Sequence, residues 1–545
     1  MKKHFILILI VITSLISFTV KKNNDPKPKL VVGIVVDQMR YDYLTKFSNR
    51  YGDGGFKRLL NEGFSLENAH YNYIPTYTAV GHTSIYTGTT PVNHGIIGNH
   101  WYDKYLKKSI YCVDDNNYKT IGNNGDGGKK SPYRMQTTTI TDQLKLAQNN
   151  KGKTIGIAIK DRSAILPAGH SADAAYWYDG GSKGEWITSS YYMKELPKWV
   201  TQFNKSGKAD NYLSEKWETL HDINTYTQSI VDDNNFEEPF IGEEKPTFPH
   251  DIPNLRKKNN NYSILKAIPA GNSFTTDFAK EAIIHENLGK NEHTDFLAIS
   301  YSSTDYVGHQ FGVASKEIED TYLRLDRDLE SLFNFLDTHV GKDNYTLFLT
   351  ADHAAVHVPS YLKSLKMPGK YFSYQKFTDF LNKKTLAHFN SNKLIEDISN
   401  FQIFLNKDII KSLKLNYNDV ANFIANEAIN YKGIYKTVTA NTIQTNTFTK
   451  GILSTLQNGY NQKFSGDVLL VPNVSTISYS KKGSTHGSGY SYDTHVPVIF
   501  YGNGIKQGSS KKKYTITDIA STIANILQIE APNGNTGIII EEVIK

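Results

Sequence analysis

Residues 29–37 read KLVVGIVVD, a mostly apolar and β-branched run that ends in an aspartate. A strand that is buried on both faces lacks the polar alternation of a half-exposed strand, so this run predicts a central strand of a parallel sheet. Asp37 follows the carboxyl end of that strand, where ligand sites form in open α/β sheets. For a single strand, an aspartate that merely caps the next turn is an equally good explanation.

Three further runs repeat this pattern of an apolar strand followed by charged residues. They read TIGIAIKDR at residues 154–162, DFLAISYSSTD at 295–305 and YTLFLTADH at 345–353. The segments between these strands have the periodicity of helices. It is clearest after Ser315, where apolar residues recur at helical spacing as far as Leu336. This alternation predicts an α/β fold with a doubly wound, mostly parallel sheet flanked by helices.

Two stretches interrupt the alternation, and we interpret them as insertions into one catalytic domain that spans residues 25–545. The first, from about 169 to 269, is rich in Tyr, Trp, Asn, Asp and Gly and predicts a cap over the functional face. The second is expected from about 380 to 463. The core sheet is expected to resume with the runs DVLLV at 467–471 and VPVIF at 496–500.

The composition of the 545-residue chain, with 39% hydrophobic and 21% charged residues, is typical of a folded globular protein. Its formal charge of +7 is spread along the chain, and no basic run is long enough to predict a dedicated nucleic-acid partner. Cys112 is the only cysteine, which excludes an internal disulfide and favours a structural role for this side chain.

The first 24 residues have the pattern of an export signal followed by a short linker. Lys2, Lys3 and His4 precede a charge-free apolar run at 5–20. That run is short for a membrane span, so the mature chain is expected to be periplasmic or secreted and to lack a span. An uncleaved N-terminal anchor remains the alternative.

Residues 75–84 read PTYTAVGHTS and predict a loop that opens a helix near Thr78. Free backbone N–H groups and the positive end of the helix dipole favour an anion at such a position. A hydroxyl group there can act as a nucleophile if its pKa is lowered or its proton is removed. Taken alone, Thr78 fits a helix N-cap better than a nucleophile.

A set of Asp and His residues near the predicted strand ends indicates a metal site. The set comprises Asp37, Asp305, His309, Asp352, His353 and His486. Asp305 and His309 are four residues apart, so both can face one cation if the segment is helical. His486 lies in the flexible run KGSTHG at 482–487. The mixture of oxygen and nitrogen ligands suits zinc and favours a dinuclear site.

This ordered set, with Thr78, resembles the alkaline phosphatase superfamily, most closely its PafA-type, monomeric, zinc-dependent members. The resemblance extends over almost the whole mature chain and includes VVDQMR at 35–40 and GHTS at 81–84. It implies one zinc ion held by Asp305, His309 and His486. It implies a second zinc ion held by Asp37, Asp352 and His353, with the Thr78 oxygen. Asn99, Lys160 and Arg162 match the residues that contact the remaining phosphoryl oxygens.

The resemblance further implies a broad-specificity alkaline phosphatase that acts on small-molecule phosphate monoesters. Thr78 would attack phosphorus, and the resulting phosphothreonine would be hydrolysed to inorganic phosphate. Lys160 and Arg162 suit the two negative charges of a monoester, because Arg offers forked donors and Lys a point charge. A diester carries one charge less and would need no such pair.

Two alternatives remain open from the sequence. A nucleotide pyrophosphatase/phosphodiesterase-like enzyme would share Thr78, Asn99 and the six metal ligands, but Lys160 and Arg162 argue against it. An inactive, metal-stabilised binding protein with an aromatic-rich cap is the second alternative. The intact nucleophile argues against that function, since binding alone requires none.

Overall fold

The computed structural model describes residues 27–181 and 183–545. The signal peptide predicted at residues 1–24 lies outside the described residues. Among the helices that are described, none combines the length and the apolar character needed to cross a bilayer.

Within the described residues, ten strands form one large sheet. In chain order they are β1 (Leu30–Val36), β2 (Phe64–Leu66), β3 (Thr120–Ile121), β4 (Thr154–Ala158), β5 (Ala174–Asp179), β6 (Glu185–Ser189), β7 (Asp295–Tyr301), β8 (Tyr345–Thr350), β9 (Val498–Gly502) and β10 (Gly508–Ser510). Their spatial order is β10-β2-β9-β8-β1-β7-β4-β5-β6-β3. The adjacent strands β8, β1, β7, β4 and β5 are parallel, whereas β9 and β6 run antiparallel to their neighbours β8 and β5.

The strand predicted from residues 29–37 occupies the middle of this sheet. β1 pairs with β7 on one side and with β8 on the other, and all seven of its residues are buried. The other three predicted runs form β4, β7 and β8. The mostly parallel α/β sheet is therefore confirmed.

Helices cover the sheet and lead into the functional loops. Six of them are labelled α1 (Thr78–Thr87), α2 (Asp161–Ala168), α3 (Ala270–His285), α4 (Ser303–Phe311), α5 (Lys316–Leu336) and α6 (Asp518–Leu527). The other α-helices span Tyr43–Lys46, Phe56–Glu62, Pro91–His94, Ile140–Ala147, Lys198–Lys205, Lys208–Leu213, Ile252–Leu255, Pro359–Ser364, Tyr374–Phe389, Lys407–Ser412, Tyr417–Ala428, Ala440–Thr445, Gly451–Asn458 and Ser491–Thr494. The Ser315 side chain caps α5 by accepting a hydrogen bond from the Ile318 N–H, which confirms the predicted start of this helix.

A second, four-stranded sheet lies in the C-terminal half of the chain. Its strands, in spatial order, are Ile395–Ser399, Gln402–Leu405, Val468–Pro472 and Ile434–Thr439. The expectation that the core sheet resumes at 467–471 is wrong, because this run pairs on both sides within the smaller sheet. The run predicted at 496–500 does enter the central sheet, as β9. An interior strand of either sheet is apolar, so the run alone does not reveal its partners.

The central sheet also extends into the range predicted as the first insertion. β5 and β6 lie within 169–269, so a proposed cap can comprise only the residues after Ser189. Three two-stranded pairs complete the strands: Ala69–His70 with Tyr514–Thr515, His100–Asp103 with Lys108–Tyr111, and Lys370–Tyr371 with Thr476–Ile477.

Close packing at Gly81 sets the position of α1 against the loop that follows β8. A Cβ atom at Gly81 would lie 2.1 Å from the backbone oxygen of Asp352. Because that oxygen belongs to the backbone, it cannot rotate away as a flexible side chain would. A glycine in the middle of α1 therefore lets the helix approach Asp352.

We expect Gly81→Ala to lower the free energy of unfolding by about 1–3 kcal/mol, the usual cost of overpacking. Alanine improves helix propensity by about 1 kcal/mol, but this gain does not remove the contact with the Asp352 oxygen. The control is Gly52→Ala, since a Cβ atom at this position would lie 3.5 Å from its nearest neighbour, which is an ordinary van der Waals distance. Thermal unfolding of both variants checks the expectation, and equal melting temperatures would contradict it.

Candidate active site

Four neighbouring strands deliver charged side chains to one edge of the central sheet. Asp352 follows β8, Asp37 follows β1, Asp305 lies on α4 just after β7, and Lys160 follows β4. All four side chains are buried. Because the carboxyl ends of parallel strands meet at one edge, the strand order brings these residues together.

Lys160 bridges two of the three carboxylates. Its Nζ lies 2.6 Å from Asp37 Oδ2 and 2.5 Å from Asp305 Oδ2. The Nζ also stands 5.1 Å from the centre of the Tyr306 ring. One cation therefore faces three buried aspartates, which leaves an excess of negative charge when all three are ionised.

Gln38 connects the third carboxylate, Asp352, with Asp305. Its backbone N–H donates to Asp352 Oδ1 at 3.1 Å, and its side-chain Nε2 donates to Asp305 Oδ1 at 2.6 Å. Gln38 adopts a positive φ of 64°, which is uncommon for a residue with a side chain. Both donors reach their carboxylates from this one strained residue.

The three histidines of the site share one arrangement of their ring nitrogens. Each Nδ1 lies within hydrogen-bond distance of a backbone carbonyl oxygen: His309 of Ser484 at 2.7 Å, His353 of Ala354 at 3.1 Å and His486 of Thr76 at 2.7 Å. A carbonyl oxygen only accepts, so Nδ1 must carry the proton. In the neutral ring each Nε2 then presents a lone pair, which is the usual arrangement of a metal-ligating histidine.

The Nε2 atoms face the carboxylates. His309 Nε2 lies 3.2 Å from Asp305 Oδ1, and His486 Nε2 lies 3.6 Å from the same oxygen. His353 Nε2 lies 3.5 Å from Asp37 Oδ1 and 3.5 Å from Asp352 Oδ2. The rings of His353 and His486 stack with centroids 3.4 Å apart.

Thr78 is the first residue of α1, and its side chain is buried beside this group. Its Oγ1 lies 3.5 Å from His353 Nε2. The Asn99 side chain accepts a hydrogen bond from the Ala79 N–H at 2.9 Å through Oδ1. That bond fixes the Asn99 amide beside the helix N-terminus and keeps its NH₂ group available as a donor.

Arg162 lies at the start of α2, two residues beyond Lys160. Its Nη1 donates to Tyr111 Oη at 3.0 Å, and the Tyr111 hydroxyl donates in turn to Asp161. The Nε–H of Arg162 is buried without a hydrogen-bond partner. Tyr111 and Asp161 thus hold the guanidinium while part of its donor set remains free.

Residues of the site contribute to the lining of two cavities. One of about 270 Å³ includes Lys160, Arg162 and Tyr306 in its lining. Another of about 280 Å³ includes His486, Tyr77 and aromatic residues from the smaller sheet region. Both leave room for small molecules next to the charged groups.

Burial and charge separate the pKa values of these groups. Burial, then the charge of Asp352, raises the pKa of Asp37 well above its usual range, and burial raises the pKa of Asp352 to about 7. Burial also acts on Asp305, but His309 and Lys160 outweigh it and hold the pKa of Asp305 well below the usual value. Burial lowers the pKa of His486 to about 3, which keeps its ring neutral at physiological pH.

The residues of this site suit bound metal ions. Two groups each bring three ligand atoms within 4.8 Å of one another: Asp37, Asp352 and His353, and Asp305, His353 and His486. Asp37 Oδ1 and Asp352 Oδ2 are buried and have no hydrogen-bond partner. Unpartnered carboxylate oxygens beside imidazole lone pairs form a donor set that fits zinc.

The first of these groups has the composition that the resemblance implies, and the second differs from it by one residue. His353 takes part in both groups because its ring stacks on His486, whereas His309 lies outside them and contacts Asp305. Lys160, which the resemblance implies as a phosphoryl contact, is paired with two aspartates in this structure.

Gln38, His82 and Tyr111 also contact residues of the site, although none of them was predicted from the sequence. His82 Nδ1 lies 2.9 Å from the Thr78 carbonyl oxygen and 3.3 Å from Asp352 Oδ2. Helical spacing of four residues from Thr78 is a signal that could have identified His82. Gln38 could have been noticed because it directly follows Asp37. No local sequence pattern indicates Tyr111, since its contact with Arg162 joins distant parts of the chain.

Comparisons with known proteins agree over nearly the whole chain. The model of the family described as type I phosphodiesterase / nucleotide pyrophosphatase matches residues 31–496. A Myroides odoratus protein named calcium-transporting ATPase is 49% identical over 523 residues, which cover 95% of each chain. Alkaline phosphatase PafA of Elizabethkingia meningoseptica is 44% identical over 527 residues, which cover 96% of each chain.

A solved structure has the same fold. The crystal structure of wild-type alkaline phosphatase PafA matches with a TM-score of 0.93 and 43% sequence identity, covering 96% of this chain and 100% of that chain. Since the family model, the relative PafA and the PafA crystal structure agree, the chain belongs to the alkaline phosphatase superfamily, within the type I phosphodiesterase / nucleotide pyrophosphatase family.

Proposed function

We propose that this protein is a broad-specificity alkaline phosphatase that hydrolyses small phosphate monoesters to an alcohol and inorganic phosphate. The position of Thr78 carries this proposal. Its hydroxyl group lies at the N-terminus of α1, 3.5 Å from His353 Nε2 and among buried carboxylates. The relative named alkaline phosphatase PafA supports the same activity.

In the proposed reaction, Thr78 Oγ1 loses its proton and forms a bond to phosphorus while the bond from phosphorus to the alcohol oxygen breaks. The alcohol takes up a proton and leaves, and the chain carries a phosphothreonine. Water then attacks the same phosphorus, which restores the Thr78 hydroxyl and releases inorganic phosphate. Positioning and charge stabilisation are the main requirements of such a transfer.

We infer that two zinc ions are the cofactors. Asp37, Asp352 and His353, with the Thr78 oxygen, would hold one ion, and Asp305, His309 and His486 the other. When bound, the ions supply positive charge that lowers the pKa of the Thr78 hydroxyl and offsets the charge on the leaving oxygen. The backbone bonds of the three Nδ1 atoms would keep each Nε2 directed at an ion.

Lys160, Arg162 and Asn99 would recognise the phosphoryl group. Cations held by Asp37 and by Asp305 would neutralise the two carboxylates that now pair with Lys160, so that its Nζ could turn to a phosphoryl oxygen. The free Nε–H of Arg162 and the NH₂ group of Asn99 add directed donors. Two cations match the dianion of a monoester better than the monoanion of a diester.

The cellular context is part of the same proposal. The predicted signal peptide at residues 1–24 supports a periplasmic or secreted enzyme. We further propose that it acts as a monomer with no nucleic acid as dedicated partner. ATP also ends in a dianionic phosphoryl group, so the proposed site could accept the substrate class that the name of the Myroides odoratus relative suggests.

We expect Thr78→Ala to lower kcat/KM for a chromogenic monoester by about 10³-fold or more, because the variant lacks the attacking oxygen. Thr78→Ser keeps a hydroxyl group and serves as the matched control, which should retain most of the activity. Both variants should bind as much zinc as the wild type, as measured by elemental analysis. Full phosphatase activity in a folded, zinc-bound Thr78→Ala protein would contradict the covalent mechanism.

We expect Arg162→Ala to reduce kcat/KM for a monoester by about 10- to 100-fold, the value of a lost charge-assisted hydrogen bond. The loss for a diester of the same alcohol should be smaller, since a diester has one charge less. Arg256→Ala is the control, because Arg256 lies in another region and pairs with Asp210. A wild-type protein that prefers the diester would instead support the nucleotide pyrophosphatase/phosphodiesterase-like alternative.

We expect chelation to abolish monoester hydrolysis and added zinc to restore it. The melting temperature should fall on chelation as well, because buried carboxylates then lose their counter-charge and a ligand of the native state is removed. Activity and thermal unfolding are measured on the same samples. Unchanged turnover after complete removal of zinc would contradict the proposed cofactor, and absence of turnover with zinc bound would support the inactive binding protein.

A further inference from the structure

The loop that carries His486 is held by a buried acid, Asp493, which lies in the short helix Ser491–Thr494 and is 1% exposed. Its Oδ2 accepts three hydrogen bonds. They come from the Gly487 N–H at 3.2 Å, the Ser488 N–H at 2.8 Å and the Ser488 hydroxyl at 2.6 Å. These donors belong to the two residues that directly follow His486, so the carboxylate fixes the backbone next to this ring.

The backbone directly after His486 has a conformation that few residues could adopt. Gly487 has a φ of 128°, which residues with a side chain rarely reach. A Cβ atom at this position would also lie 2.6 Å from the Tyr77 ring. Because glycine loses more conformational freedom on folding than any other residue, this segment needs contacts from outside to fix it. Asp493 supplies such contacts.

Further hydrogen bonds lead from Ser488 to the His486 ring. The Thr76 hydroxyl donates to the Ser488 carbonyl oxygen at 2.9 Å. The Thr76 carbonyl oxygen in turn lies 2.7 Å from His486 Nδ1, which donates to it. Thr76 is 0% exposed, so water does not compete for these bonds. Asp493, Ser488 and Thr76 together therefore set the direction in which His486 Nε2 points.

The main chain of Asp493 reaches the second of the two stacked histidines. Its carbonyl oxygen accepts a hydrogen bond from the Ala354 N–H at 2.9 Å. The Ala354 carbonyl oxygen lies 3.1 Å from His353 Nδ1. The side chain of Asp493 thus acts on the His486 loop and its main chain on the residue beside His353. A substitution of the side chain leaves the main-chain bond in place.

We infer that Asp493 is a positioning residue, which holds His486 in the orientation of a metal ligand without binding the metal itself. The inference rests on the proposed function, since it takes His486 as a ligand of the zinc ion that Asp305 and His309 also hold. Asp493 belongs to neither group of candidate ligand atoms found in the described part of the chain. It acts through an acceptor oxygen that fixes the loop, so its negative charge is not the property that matters.

The test is a zinc titration of the full chain against a competing chelator. Wild-type protein should bind two zinc ions. Asp493→Ala should weaken one of them by about 10- to 100-fold, the usual effect of losing a residue that orients a metal ligand. The affinity for the other ion should not change, because the bond to the Ala354 N–H comes from the main chain. Equal affinities of Asp493→Ala and the wild type for both ions would overturn the inference.

Asp518→Ala is the matched control. Asp518, at the start of α6, is also buried, and its carboxylate accepts the Thr515 N–H at 2.8 Å and the Ile538 N–H at 3.0 Å. It holds no loop that carries a candidate ligand. Both alanine variants should lower the melting temperature, but only Asp493→Ala should lower the affinity for zinc. An equal loss of zinc affinity in Asp518→Ala would show that Asp493 acts only through general stability.

Asp493→Asn separates position from charge. Its side-chain oxygen can still accept the bonds from the Gly487 and Ser488 N–H groups, so this variant should retain most of the zinc affinity. A loss as large as that of Asp493→Ala would assign the effect to charge and overturn the positioning role.

Ser488→Ala decides the question if Asp493→Ala does not fold, because it removes only the bond from the Ser488 hydroxyl to the carboxylate. It should weaken the same zinc ion by a smaller factor, and unchanged affinity would then overturn the inference. A wild-type protein that binds no zinc would overturn the proposed cofactor together with this inference. Two zinc ions in the wild type, with equal affinities in every variant, would overturn only the role of Asp493.

Discussion

The structure depends on how negative charge is balanced at the carboxyl edge of the central sheet. Asp37, Asp305 and Asp352 are buried there together, and Lys160 is the cation that pairs with two of them. Burying charges without partners is costly, and burial lowers the pKa of His353 and of His486, so that these two rings contribute lone pairs rather than charge. The site therefore favours additional cations, and this constraint accounts for its two most unusual features: unpartnered carboxylate oxygens and histidines whose Nε2 atoms all face inward.

Repulsion between these carboxylates must be resisted by the fold. β1 contributes by pairing along its whole length with β7 and from Leu30 to Val35 with β8, which fixes the strand ends from which the aspartates extend. Gln38 adds a donor to Asp305 and another to Asp352. Close contact between Gly81 and the Asp352 backbone places the N-terminus of α1 directly over the site. Thr78 thus lies near the aspartates because packing and hydrogen bonds together hold the edge of the sheet and the helix in one arrangement.

Much of this arrangement could be predicted from the sequence because its determinants are local. Each site strand is a continuous apolar run, and each charged residue follows its strand within a few positions, so the edge at which they meet was predictable. The run at 467–471 shows the limit: it has the same apolar character as β1 but belongs to the smaller sheet. The links from Arg162 to Tyr111 and from Gln38 to Asp305 join distant segments, and no local pattern reveals such pairs.

Lys160 connects the balance of charge with the choice of substrate. In this structure the ammonium group of Lys160 pairs with the protein's own carboxylates: it contacts one oxygen of Asp37 and one of Asp305. These two aspartates belong to different proposed metal sites, so cations in both sites would free the lysine from both carboxylates. A phosphoryl dianion would then offer its Nζ a new partner, while Arg162 stays anchored through Tyr111. On this basis metal binding and recognition of a monoester are not independent properties, since the same ammonium group cannot neutralise two aspartates and contact a phosphoryl oxygen equally well.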